Sequence, residues 1–144
     1  RLRQRIQKNG GKLKLWKLLL VSDGKLLPPS MYRNQDDFQY TPGCIKSNRD
    51  KLEINKQEDY SYYDGSNVVE VHKGIHVSRS LAAAKVLRAG YMYGKMDKVF
   101  VIVPVTVHLK DLVAAGQDKD AVFIRVFLKK ADYEKALEEA QQGV

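Results

Sequence analysis

Thiol chemistry is almost missing from this chain: Cys44 is its one cysteine, which excludes an intrachain disulfide and any cysteine-rich zinc site. A lone thiol fits a reducing compartment, and the cytosol is the expected location. Histidine is nearly as scarce, with His72, His76 and His108 the whole supply. Long apolar runs are missing too. The longest near the start, "LLLV" at 18–21, falls far below the roughly 20 residues of a membrane span, and no segment is built like a signal peptide. No membrane partner is expected. The chain also lacks a G-x-S-x-G elbow, an H-E-x-x-H pair, a P-loop and a dinucleotide glycine fingerprint, the short motifs that carry hydrolytic, zinc or nucleotide chemistry. No metal and no cofactor are therefore expected.

Positive charge is in surplus. Lys and Arg number 25 against 17 Asp and Glu, a formal charge of +8. Such a field draws in nucleic acid, an acidic protein surface or anionic lipid without choosing among them. The excess gathers in "RLRQRIQKNGGKLKLWK", whereas the tail "ADYEKALEEAQQ" is mixed to acidic, so part of it reads as a local basic arm. The chain begins with Arg1 and not methionine, as a trimmed product or a segment of a longer protein would.

At 144 residues with 44% hydrophobic content, one domain with a substantial core is expected. Residues 1–11 read as a basic arm or linker: a short helix ended by "NGG". Residues 12–142 read as a single α+β domain. "LKLWKLLLVS" alternates and then turns fully apolar, as a strand does on entering a core. "SDGK" supplies a turn, and Pro28 and Pro29 end the returning strand. "NVVEV" is a strand, and "GIHV" continues it past a kink at Gly74 or forms a second one. Ser78 is placed to cap the helix "RSLAAAKVLRAG", with Gly90 as its stop and Leu81, Ala83, Ala84, Val86 and Leu87 as its sheet-facing side. "KVFVIVPVTVHL" is the strongest strand, with Pro104 calling for a bulge or a sheet edge. "AVFIRVFL" is another strand, preceded by one helical turn and a loop. The last helix sets Tyr133, Ala136, Leu137 and Ala140 on one face, with Asp132 as cap or dipole partner. Strands interrupted by two main helices, with long irregular loops, make an α+β fold on a mixed or antiparallel sheet.

Basic residues interleaved with aromatics are the pattern of single-strand binding surfaces. Lys12, Lys14, Trp16 and Lys17 in "KLKLWK", Arg33 in "MYR", and Lys46 and Arg49 after "TPGC" are the candidate contacts. Tyr60, Tyr62 and Tyr63 join them from a polar, turn-rich stretch. Plainer readings stand beside these: the lysines of the first strand as guards of a sheet edge, and the tyrosines, in the favoured reading of them, as a lid on the core with hydroxyls in water. His72 and His76 on one regular strand would stand about 13 Å apart, too far to share a metal ion. Ser78 is explained as a cap, and nothing in the sequence fixes a base beside Cys44.

The order "LWKLLLVSDGKLLPP", "YTPG", "KGIHVSRSLAAA", "KVFVIVPVTV" resembles small uncharacterised bacteriophage proteins over most of residues 13–128. That resemblance implies a host-cell cytoplasmic or virion location and assembly within a larger phage complex. A shorter stretch, "GIHVSRSLAAAKV", is similar to the nicotinamide-binding region of the ADP-ribosyltransferase fold. It implies an enzyme acting on NAD or another nucleotide, with His76, Tyr91 or Tyr93 near the pocket and Glu70 as acid or base. Here the chain departs from that family, offering Trp16 and Lys17 at the NAD position of strand one and no late E-x-E or Q-x-E pair. The leading expectation is a non-enzymatic accessory domain that binds nucleic acid or an acidic host or virion protein. The alternatives are the nucleotide enzyme and a structural virion component.

Overall fold

The computed structural model describes residues 2–29, 39–47, 74–94, 97–116 and 119–142. Its elements run α1 (Leu2–Lys8), β1 (Lys12–Ser22), β2 (Lys25–Leu27), β3 (Gly43–Lys46), β4 (Ile75–Ser78), α2 (Leu81–Met92), β5 (Val99–His108), a 3-10 turn (Leu109–Asp111), β6 (Leu112–Ala115), β7 (Asp120–Phe123), β8 (Arg125–Leu128) and α3 (Lys130–Gln141). The strands form one sheet in the order β3-β8-β5-β1-β4-β7-β6, with β2 attached to β1, and its pairs are antiparallel. This is an α+β fold.

The two segments with the strongest strand patterns form its spine. β1 and β5 pair without interruption from Lys12 opposite His108 to Val21 opposite Val99. Alternation then assigns two faces. Leu15 and Leu19 of β1, with Val101, Val103, Val105 and Val107 of β5, are buried on one side. Leu2 and Ile6 of α1, Tyr40 and Ala136 of α3 complete that core. Each large apolar side chain taken fully from water there contributes roughly 1.5–3 kcal/mol. As its spacing predicts, α3 packs through Tyr133, Ala136, Leu137 and Ala140. Asp132 lies in its first turn while Lys129 occupies the cap position, so its place is that of a dipole partner. The β1–β2 turn forms at Asp23 and Gly24, both at positive φ, and β2 stops at Leu27, before the prolines.

β7 and β8 read as one strand in the sequence, and the structure divides them at Ile124. β7 pairs with β4 and β6, and β8 pairs with β5 and β3. In a flat sheet these two strands would lie about 19 Å apart, four interstrand spacings. One linking residue cannot span that distance, so the sheet curls until its flanks meet. Ile124 is tied at the meeting point, its N–H donating to the Asp111 carbonyl at 2.8 Å and its carbonyl accepting from the Ser47 N–H at 2.9 Å.

Other expectations change for local reasons. Residues 2–8 of the expected arm are seated on the domain, because Leu2 and Ile6, one turn apart, are buried in the core. Ser78 belongs to β4, opposite Trp16 and Asp120; the cap of α2 is Ser80, whose Oγ accepts from the Ala83 N–H at 3.0 Å. Gly90 is carried inside α2, which runs to Met92, and Gly94 takes the left-handed position beyond the helix end. α2 rests on the sheet through Ala84, leaving Leu81, Val86 and Leu87 exposed. Pro104 pairs with Trp16 in unbroken register inside the sheet. Its pairing with β1 continues on both sides without a bulge, and on the other side of β5 the pairing with β8 is at Thr106. The segment after the 3-10 turn forms β6 and not a loop. "NVVEV" lies outside the described residues.

Candidate functional site

Among the described residues, the second face of the sheet is covered by a helix at one end. Tyr91 of α2 packs against Phe100 with ring centroids 5.8 Å apart, and Phe100 and Leu18 beneath the helix are buried. Toward the other end of β1, burial falls from Leu18 through half-buried Trp16 to exposed Lys14 and Lys12. There four strands line up. Lys14 lies opposite Thr106, Thr106 opposite Phe127, and Phe127 opposite Cys44, giving one lateral row across β1, β5, β8 and β3. Two residues along, Lys12 lies opposite His108, and Arg125 opposite Lys46. This second row is basic throughout or, at His108, imidazole.

The local chemistry of the face is consistent. Phe127 takes His108 edge-on at 4.8 Å between centroids, and the Arg125 guanidinium lies 6.0 Å from the Phe127 ring centre. Lys14 Nζ stands 6.0 Å from the Trp16 ring. Both cations are at the outer limit of cation–π range, close enough to be biased toward the ring and not locked to it. Arg125 donates two hydrogen bonds to buried Asp111, 3.2 Å from Nε and 3.0 Å from Nη2. That fork–fork pairing fixes the plane of the guanidinium. The Asp111 carboxylate also raises the guanidinium pKa, through the hydrogen bonds first and its charge second. Among the described residues no carboxylate is paired with Lys12, Lys14 or Lys46.

Of the expected binding residues, the face unites Lys12, Lys14, Trp16 and Lys46. Lys17 does not belong to it. Its parity places it with Leu15 and Leu19 on the core side, where it is 5% exposed. Its Nζ donates to the His76 carbonyl at 2.8 Å and stands 5.9 Å from the Tyr40 ring. The edge-guard reading fails for Lys17, which is buried; β1 meets β4 at Trp16 opposite Ser78, and Lys12 and Lys14 lie beyond that pairing. Arg33, Arg49, Tyr60, Tyr62 and Tyr63 lie outside the described residues. The face adds Thr106, His108, Arg125 and Phe127, and Cys44, which is exposed. A signal for them was present: Arg125 and Phe127 alternate with Val126 and Leu128, as Lys12 and Lys14 do with Leu13 and Leu15.

The residues named for the enzyme reading are placed differently. His76 lies half-buried in β4, Tyr91 packs on Phe100, and Tyr93 is 89% exposed beyond α2. Glu70 and His72 lie outside the described residues. Among the described residues no three or more His, Cys, Asp or Glu side chains are grouped to hold a metal ion, and no helix is long and apolar enough to cross a membrane. No family model matches the chain, and neither a curated protein nor a solved structure matches it.

Proposed function

We propose that this chain is a non-enzymatic binding module for an anionic macromolecule, an accessory domain of the kind its bacteriophage resemblance implies. The observation that carries the reading is the row Lys12, His108, Arg125 and Lys46, set by strand register on a part of the sheet that no helix among the described residues covers. Rigid strands hold these groups at fixed intervals, so an anion meets them with little ordering left to do. Three lysines without carboxylate partners among the described residues and one oriented guanidinium give the face a positive field. Among the described residues the carboxylate at this face is Asp111, and it is paired with Arg125.

Retention on a heparin column, a soluble polyanion, tests the proposal. The double variant Lys12→Glu/Lys14→Glu should elute at markedly lower salt than the parent. Lys85→Glu/Lys135→Glu, the same charge change on exposed helix positions of α2 and α3, should elute between the two and near the parent. Equal loss in both doubles would mean that net charge and not this face does the binding, and the proposal would fall.

A further inference from the structure

The polyanion reading leaves open what kind of anion the face takes, and the rings set beside the basic row answer that. We infer that the partner is single-stranded nucleic acid, with Trp16 and Phe127 as stacking platforms and the basic row as the phosphate track. This inference rests on the binding function proposed above and specifies its ligand.

An acidic protein surface would be met well by cations alone. This face instead sets half-buried rings directly beside its cations. The basic row spans three interstrand spacings, about 14 Å, and the row holding Phe127 runs parallel to it about 7 Å away. A chain whose charge lies along a backbone and whose flat apolar groups project to one side matches that layout. Each platform carries its own cation, Lys14 at Trp16 and Arg125 at Phe127, so a base stacked on a ring brings its phosphate within reach of that cation. Duplex fits less well. Its bases are turned inward, and reading its major groove takes a projecting helix or two-stranded ribbon, whereas this is a broad surface of four adjacent strands. Stacking tolerates every base, so little sequence preference is expected.

The chain's one tryptophan and one cysteine both belong to this face and provide reporters. A mixed-sequence 12-nucleotide DNA, its RNA counterpart, the duplex and polyglutamate of equal charge should be titrated at fixed salt while Trp16 fluorescence is read. The single strands should quench Trp16 and bind at least tenfold more tightly than duplex or polyglutamate. Trp16→Leu should weaken single-strand binding about tenfold while Trp16→Phe keeps most of it, a contrast that a general loss of packing would not produce. Reaction of Cys44 with N-ethylmaleimide in the unmutated protein should also weaken it. Should polyglutamate or duplex bind as tightly as the single strands with Trp16 fluorescence unchanged, the inference fails, and the anion-binding function stands if the heparin contrast holds. Failure of every polyanion to bind would remove both.

Discussion

The two sides of the β1–β5 spine are made by the same strands and differ in nearly every other respect. One side is valine and leucine closed by α1, α3 and Tyr40. The other is buried under α2 at the Phe100 end and opens at the Lys12 end onto cations and half-buried rings. The difference teaches that charge in this chain cannot be read by count, because strand parity decides what each cation does. Lys12 and Lys14 share a parity and face solvent. Lys17 has the other and is used internally, its Nζ on the His76 carbonyl. The cations behind the +8 excess thus divide between an outward-facing surface and the framework.

The contrast can be broken by substitutions on each side. The largest effect on stability is expected from Leu19→Ala in the closed core. Loss of a fully buried leucine should cost about 2–5 kcal/mol, seen as a lower urea midpoint, with the affinity of the remaining folded protein for polyanions unchanged. Asp111→Ala should come next. It removes both acceptors of the Arg125 fork and empties a buried position, and should lower the urea midpoint by less than Leu19→Ala does. Because it also frees the arginine from its fixed plane, single-strand binding should change as well; a stability loss with binding untouched would remove Arg125 from the site.

Lys17→Met sharpens the assignment of the buried lysine. Withdrawing a donor from the His76 carbonyl should cost about 1–2 kcal/mol and leave heparin retention with the helix-charge control. If retention instead falls as far as in Lys12→Glu/Lys14→Glu, the parity argument is wrong. The smallest stability effect is expected from Lys14→Gln, within about 0.5 kcal/mol as for most exposed positions. Its consequence lies in salt dependence, where losing one phosphate contact should lower the slope of log affinity against log salt by about 0.7 for a single strand.

Elements with a clean period were legible in the sequence. β1, β5, α3 and the Asp23–Gly24 turn stand where alternation, helical spacing and positive-φ residues place them. The division of "AVFIRVFL" was not legible, because Ile124 is no breaker by type. Its break comes from partners far along the chain, Asp111 and Ser47, and from strands that claim its two halves for opposite flanks. The cap of α2 was misplaced by two residues for a related reason: pairing with Asp120 keeps Ser78 in its strand, and propensity does not record pairing. Half of the open face was legible as basic and aromatic clustering. Its other half comes from β5 and β8, joined to Lys12 and Lys14 only by register.

The long separation between β1 and its principal partner affects how the molecule is born. A strand that must wait for Val99–His108 emerges from the ribosome well before its mate, roughly 5–20 s earlier at ordinary elongation rates. Throughout that interval "KLKLWKLLLVS" is an unmated, greasy ribbon open to wrong neighbours. Lys12, Lys14 and Lys17, whatever they later do, place three like charges along it, and these should keep nascent copies apart until the mate arrives.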